Sequence, residues 1–554
     1  MAVSMKRDVS GWMVRWDEAR AARLKGEGAW ADKTIADYLA DIVRDTPDKV
    51  LVTDRDRDFT ARRLWDRGEK LARALVQRGY KPGDTLSFQL PNWVEAVEIN
   101  LAAAMAGLVL NPIVPIYRGS EVGFMLKDSR SRLIFIPGSY RKYDYREMIA
   151  GIAPELRADF DVIVVRDDPG GFAGYEALIA EARDDTDLPG ADPDAIKMIM
   201  YTSGTTGRAK GVLHSHNSLQ AENRCRLTHL ALTPDDIMLN PSPVTHVTGT
   251  LYSLCIPFTC GVRTVMLDTW DAQVAFDMMR DERVTGIVAA TIFLRGFVDV
   301  AKERGETPPD LRFFLCGGAQ VPPELIREAA RIFPNCVPSR IYGSTEVPCI
   351  TAGVNTRDNI DMGANTDGQI WLAEARLVDP VTGAPVAAGE EGEIVANAPQ
   401  MLLGYARVED NDDAFDEEGY FHMGDLGKLV GEDYITVTGR KKDLIIRAGE
   451  NLSPKEVEDI LYNHPNIADI SIVAMPDKRT GEKAAAFVVP AEGKTVTLES
   501  IAAYLIDYGT AKQKIPEWLE IVDDFPRTSV GKVRKDLLRK RARDIYEAQS
   551  EQKP

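Results

Sequence analysis

The stretch "MIMYTSGTTGRAKGVLHSH", Met198 to His216, decides how the rest of the chain is read. Apolar residues lead into a run from Thr202 to Val212 made mostly of Gly, Ser and Thr, with two cations, Arg208 and Lys210. Such a run after a strand-like segment is either a flexible linker or a cradle for phosphate oxygens. Gly204, Gly207 and Gly211 would let backbone N–H groups face an anion, and the hydroxyls of Thr202, Ser203, Thr205 and Thr206 would donate hydrogen bonds. Linkers seldom follow a buried strand directly, which favours the cradle. The run misses the Walker pattern G-x-x-x-x-G-K-[ST] in both spacing and order. The one Gly-Lys-Thr, Gly493 to Thr495, lacks that pattern's first glycine and reads as a surface turn. His214 and His216 have no third metal ligand spaced near them, so they read as part of a helix start after the loop.

Outward from the loop, strand-like runs alternate with helical patterns. "TLSFQLPN" precedes the helix-like "WVEAVEINLAAAMAGL"; "VLNPIVP", "GSEVGFMLKDS" and "RLIFIPG" follow, and "LRFFLCGG" leads into "VPPELIREAARIF", where Pro322 and Pro323 suit a first helical turn. This alternation predicts an α/β fold: a large N-terminal region of doubly wound α/β layers. The last hundred or so residues predict a small mobile α+β domain. In it "NLSPKEVEDILYNHP" carries a capping-box pattern, Ser453 as cap and Glu456 at the third helical position. The expected division is an N-terminal extension over 1–34, a large domain over 35–440, a hinge at 441–442 and a small domain over 443–554.

Sixty-seven Lys and Arg against eighty-five Asp and Glu give a net charge of −18, which repels nucleic acid and anionic lipid at long range. The six cysteines form no C-x-x-C pair and read as reduced thiols. The first residues hold no apolar signal core, and "NLAAAMAGLVLNPIVPIY" is interrupted by Asn111, Pro112 and Pro115, too short for a membrane span. A cytoplasmic protein with no nucleic-acid partner and no membrane span is expected.

Four further stretches carry chemistry. In "SRIYGSTEVP", Tyr342 offers a face for a purine, Gly343 a close backbone approach, and Glu346 a carboxylate of the kind that holds Mg²⁺ beside phosphates; a half-buried Tyr and a solvated Glu are the plain alternative. Asp425 in "EEGYFHMGDLGKL" reads as a turn aspartate able to accept both hydroxyls of a ribose. "TGRKKDLIIRAGENLSPKEVE" is the charged boundary stretch, and in "FPRTSVGKVRKDLLR" Lys532 follows a Gly-containing turn from which its ammonium could enter a cleft.

Taken in order, "TSGTTGRAKGV", "YGSTE", "GYFHMGDLG", "GRKKDLIIRAGENLSPKEVE" and "PRTSVGKVRK" resemble the adenylate-forming (AMP-binding) superfamily, which contains acyl-CoA synthetases, firefly luciferase and the adenylation domains of peptide synthetases. "GEIVANAPQMLLGY" is similar to the family segment before the ribose aspartate, and the resemblance runs from about residue 35 to about 540. It implies ATP, Mg²⁺ and coenzyme A as cofactors and a small carboxylic acid as substrate, joined first to AMP and then to a thiol. It implies that Thr202, Ser203, Gly204, Thr205, Thr206, Gly207 and Lys210 hold the β- and γ-phosphates. Gly317, Gly318, Ala319 and Tyr342 would then border the adenine, Gly343 and Ser344 would belong to the same ATP/AMP site, and Thr345 would contact the α-phosphate, Glu346 the Mg²⁺, and Asp425 with Arg440 the ribose. Lys532 would bridge carboxylate and α-phosphate; Lys442 would be the hinge, and Gly449 with His246 would line the CoA tunnel. Val244, Thr248, Ile341 and Val347 would border the acyl pocket. Two departures stand out: Arg340 replaces the family's adenine-binding amide or carboxylate, and Thr245 its bulky aromatic before the histidine. The texture is closest to bacterial ligases for medium-chain or alicyclic acids such as cyclohexanecarboxylate. No Ser-centred carrier segment is visible, so CoA is favoured over a carrier protein as acceptor. A luciferase-like oxygenase is more distant, and the reacting groups argue against a non-catalytic nucleotide sensor. A homodimer is compatible with the resemblance.

Overall fold

The computed structural model describes residues 4–551 apart from 157, 203–207, 320, 388, 448–449 and 529–530. Its body is two mixed sheets with helices around and between them. The first runs in the order Ala173–Gly174, Asp161–Val165, Leu133–Pro137, Thr85–Phe88, Val109–Pro112, Ile196–Thr202, Lys210–Ser215, Gly404–Tyr405. Its strands are parallel as far as Ile196–Thr202, and the last two pairings are antiparallel. Leu133–Pro137 is buried at every position, as a parallel strand covered on both faces must be.

The second sheet runs Val337–Arg340, Phe313–Cys316, Gly286–Ala289, Ile237–Asn240, Arg263–Met266, Val50–Asp54, Arg57–Thr60, parallel except for the terminal hairpin. Helix Val94–Ala106 is buried along its whole length. One apolar cluster joins it to Leu86, Leu110 and Met198 of the first sheet and to Val52, Met238 and Leu315 of the second. Its small Ala side chains permit that enclosure on all sides. Of its three buried polar residues, Glu95, Glu98 and Asn100, the last accepts from Lys197 Nζ at 2.6 Å and donates to the Leu254 carbonyl at 2.6 Å.

A four-stranded antiparallel sheet (Glu374–Val378, Gly392–Asn397, Phe421–Val430, Tyr434–Arg440) follows and leads into the 3₁₀ turn Lys441–Asp443. Beyond it lies a separate sheet whose long hairpin, Ile467–Asp477 with Gly481–Pro490, is flanked by Ile445–Arg447, Glu450–Leu452 and Trp518–Ile521. Helices Pro454–Leu461, Leu498–Asp507 and Lys535–Glu551 complete this smaller unit. The expected α/β body with a separate α+β domain is therefore present.

Several local expectations are corrected. The run after Thr202 leads into a strand, not a helix: Lys210–Ser215 returns antiparallel to Ile196–Thr202, so His214 lies in a strand and only His216 opens the helix His216–His229. Every residue of "GVLHS" is buried, so no period-two alternation marks the strand. The capping box at Ser453 is absent: its hydroxyl donates to the Thr438 carbonyl at 2.7 Å, and Glu456 accepts from Lys514 instead. Residues 4–34 are folded onto the body. Hairpin Ser4–Arg7/Met13–Trp16 and helix Glu18–Gly26 bring Trp12, Trp16 and Trp30 against Ile199, Leu213 and Leu403. The cysteines are free thiols. Among the described residues no helix is long and apolar enough to cross a membrane.

Candidate active site

The site is assembled where the ends of both large sheets meet the four-stranded sheet. Tyr342 follows strand Val337–Arg340, its backbone N–H donating to Thr351 Oγ1 at 2.7 Å. At Gly343 the chain doubles back so tightly that a Cβ would stand 2.2 Å from the Cys349 nitrogen, which only glycine avoids. Ser344 closes the turn, its hydroxyl accepting from the N–H groups of Glu346 and Val347 at 3.1 Å. Thr345 is held through its carbonyl, which accepts from His214 Nε2 at 2.8 Å. Burial lowers the His214 imidazole to about 4, so it stays neutral there.

Asp425 lies within strand Phe421–Val430 rather than in the expected turn, directly opposite Arg440 on the neighbouring strand. Its carboxylate accepts from Arg440 Nε at 2.9 Å and from the Tyr342 hydroxyl at 2.7 Å. Burial and then Asp425 push the Tyr342 phenol well up, and Asp425 raises Arg440. Glu346 accepts from the Tyr405 hydroxyl at 3.0 Å and from Thr202 Oγ1 at 3.4 Å. This all-oxygen surrounding of a partly exposed carboxylate fits Mg²⁺, which takes one or two carboxylates and keeps waters.

Lys532, from the small unit, reaches this group. Its turn is fixed by Thr528, whose N–H donates to the Lys532 carbonyl at 2.7 Å and whose hydroxyl accepts from its N–H at 3.1 Å. Burial, followed by Arg440, lowers the ammonium to about 8, against the pull of Asp425 and Glu346. The His246 imidazole is lowered to about 4 by burial and then by Lys532, so both residues share one electrostatic neighbourhood. His246 starts the short helix Val247–Gly249, where a Cβ on Gly249 would stand 1.9 Å from the Pro243 oxygen.

Gly317 borders this region, since a Cβ there would lie 2.5 Å from the Ile341 carbonyl oxygen; Gly318 and Ala319 follow it. Val244 and Val347 expose no surface, so neither faces an open cavity in this conformation, whereas Thr248 is half-buried and Ile341 slightly exposed. Arg340 is turned into the protein, ion-paired with Asp367 at 2.5 Å and donating to the Ala364 carbonyl at 3.1 Å. Lys442 sits in the turn Lys441–Asp443, whose neighbours pair with Glu393 (Lys441, 2.9 Å) and Arg539 (Asp443). Ser203, Gly204, Thr205, Thr206, Gly207 and Gly449 lie outside the described residues.

The sequence pattern of the AMP-binding enzyme family matches residues 39–406, and that of the AMP-binding enzyme C-terminal domain matches residues 456–532. The chain belongs to the AMP-binding enzymes. It is similar to the medium-chain fatty-acid–CoA ligase of Escherichia coli (strain K12), at 34% identity over 95% of this chain and 93% of the relative. It is also similar to a salicylyl-CoA synthase / salicylate adenylyltransferase of Streptomyces sp., at 30% identity over 97% and 98%. Among solved structures it matches ATP-bound MatB from Rhodopseudomonas palustris with a TM-score of 0.82, at 28% identity over 92% of this chain and 99% of that one. This AMP-binding enzyme is an AMP-forming acid–thiol ligase, of the family whose cofactors are ATP, Mg²⁺ and CoA.

Sequence reasoning missed three residues of the AMP-binding enzyme's site. Tyr405 orients Glu346, His214 holds the Thr345 carbonyl, and Asp410 contacts both Arg208 and Lys210. "MLLGY" drew attention to its segment, but nothing in a lone Tyr, His or Asp marks a positioning role.

Proposed function

We propose that this ligase activates a medium-chain or alicyclic monocarboxylic acid and transfers it to free CoA, in the cytoplasm. The acid attacks the α-phosphorus of ATP, pyrophosphate leaves, and the mixed anhydride gives a thiol a good leaving group in AMP. Tyr342 and the Gly317–Ala319 segment border the adenine. Asp425 with Arg440 binds the ribose. The run from Thr202 to Lys210 grips the leaving phosphates. Glu346 would hold Mg²⁺, which would supply neutralising charge. Lys532 steadies the negative charge developing between carboxylate and α-phosphate, and a turn of the small domain about Lys442 then withdraws it so that Gly449 and His246 border the pantetheine.

The observation carrying the substrate class is the fate of the nearby guanidinium groups. Arg226 pairs with Glu222, Arg295 with Glu328, and Arg340 with Asp367. No unpaired cation among these is left to hold a second carboxylate, and the slightly exposed Ile341 and Phe293 offer apolar surface to an uncharged tail. The relative named for medium-chain fatty acids supports the same reading. A second reading, loading of an acyl group onto a carrier protein, draws on the salicylate adenylyltransferase relative.

Pyrophosphate release measured with acetate, hexanoate, octanoate, cyclohexanecarboxylate and benzoate, with and without CoA, tests the proposal. Octanoate or cyclohexanecarboxylate is expected to give the largest kcat/KM, with acyl-CoA as product. Turnover confined to benzoate, or adenylate that CoA does not consume, would reject it.

The same geometry sets a pH dependence. With its ammonium held at about 8, Lys532 is cationic below that pH and neutral above it. The kcat/KM for adenylation is therefore expected to fall as pH rises through about 8, by about tenfold per unit once the cation is lost. Pyrophosphate exchange across pH 6–10 checks this, and a flat profile to pH 10 would remove the requirement for the cation.

A further inference from the structure

One carboxylate faces both cations of the Gly/Thr run. Arg208 Nη2 lies 3.2 Å from each Asp410 oxygen, and Lys210 Nζ lies 3.6 Å from Asp410 Oδ1. Asp410 is well shielded and sits on the 3₁₀ turn Val408–Asn411. Buried Asn411 fixes that turn: its Nδ2 donates to the carbonyls of Tyr405, Arg407 and Val408, and its Oδ1 accepts from the Tyr405 N–H at 2.8 Å. Tyr405 in turn lies under Lys210, 4.7 Å from Nζ to ring centroid, while its hydroxyl donates to Glu346 at 3.0 Å. Contacts thus run unbroken from Asp410 through Lys210 and Tyr405 to Glu346. Arg407, just before that turn, is directed to Asp128.

We propose that Asp410 is a built-in counter-ion that exchanges with the pyrophosphate product for Arg208 and Lys210. This rests on the phosphate-gripping reading of the run. A carboxylate fixed beside two cations must be displaced when a polyphosphate arrives, and it repels the polyphosphate that has displaced it. Asp410 therefore weakens the grip on ATP and on pyrophosphate together. When the bond between α- and β-phosphorus has broken, its return to the cations speeds pyrophosphate escape and keeps adenylation from reversing. Two cations without this partner would hold the product longer. Asp410 acts through Arg208 and Lys210 and is a positioning residue.

The test uses the full chain and inorganic pyrophosphate with Mg²⁺, read by calorimetry without any acid substrate. Asp410→Asn is expected to bind pyrophosphate about three- to tenfold more tightly, the scale of one partly shielded ion pair. Its KM for ATP should fall together with kcat, and pyrophosphate should inhibit it at lower concentration, while Asp410→Glu restores wild-type behaviour. Unchanged or weaker pyrophosphate binding in Asp410→Asn, with or without a lowered melting temperature, would overturn the exchange and leave Asp410 as a brace for the two cations. A wild-type chain that binds no pyrophosphate would instead overturn the phosphate reading of the run itself.

Discussion

Replacing Lys532 by alanine is expected to slow acyl-adenylate formation by about 10²–10³, the effect of removing one preorganised charge from a developing oxyanion, while thioester formation from a supplied acyl-adenylate proceeds unchanged. The large domain offers the reacting centre two carboxylates, Asp425 and Glu346, and its nearest guanidinium, Arg440, is already committed to Asp425. Lys532, contributed by the small domain, is thus the further cation of the group. The melting temperature of the variant checks that it folds. The lowered Lys532 ammonium means that the folded protein disfavours this charge, so alanine relieves burial and the repulsion from Arg440 and Lys442. Pyrophosphate exchange reports the first half-reaction, and AMP release from a synthetic acyl-adenylate with CoA reports the second. Equal losses in both would show that Lys532 serves the architecture of the cleft and not the adenylation step.

The chemistry of the site was legible because charge and backbone permissiveness are written in residue types. Residue types alone mark the cations of Arg208 and Lys210, the aromatic at 342, the carboxylates at 346 and 425 and the ammonium at 532, and the structure gathers them into one region. What could not be read was the local frame of each. Gly-Asp is turn chemistry, yet strand pairing with Tyr434–Arg440 overrides that preference at Asp425. The strand Lys210–Ser215 was hidden because burial on both faces erases alternation. The Ser453 pattern matched a capping box, but a competing acceptor, the Thr438 carbonyl, takes the hydroxyl. The helix after the loop, "HNSLQAENRCRLTH", is rich in polar and charged residues. Helix His216–His229 nonetheless buries most of its polar side chains, and Gln220, Glu222, Asn223 and Arg226 among them pair with one another or with the surrounding backbone.

That helix carries the second large expected effect: Glu222→Gln should destabilise the fold by about 3–5 kcal/mol, the cost of stripping one partner from a buried ion pair. Glu222 and Arg226, one turn apart, are each 1% exposed, with Arg226 Nε 2.7 Å from Glu222 Oε1. The Tyr252 hydroxyl donates to the same oxygen at 2.6 Å, and Asn223 Nδ2 donates to Oε2 at 3.2 Å. Arg226 also donates to the carbonyls of Thr351 and Ala352 at 3.3 and 3.2 Å, so it braces the segment that returns from Tyr342 and Cys349. Glutamine keeps the shape but leaves the guanidinium as an uncompensated charge with no route to water. Chemical denaturation should show the midpoint falling with the slope unchanged. A Glu222→Leu/Arg226→Met double variant, which removes both charges together, should lose less than Glu222→Gln alone, because no orphaned ion remains. If the single and double variants lose the same stability, the pair contributes only packing, and the Thr351–Ala352 segment is held by the sheet alone. If Glu222→Gln also raises KM for the acid at temperatures where it stays folded, the brace extends to the acyl side of the site, since Cys349 lies 4.0 Å from the Tyr252 hydroxyl and begins the braced segment.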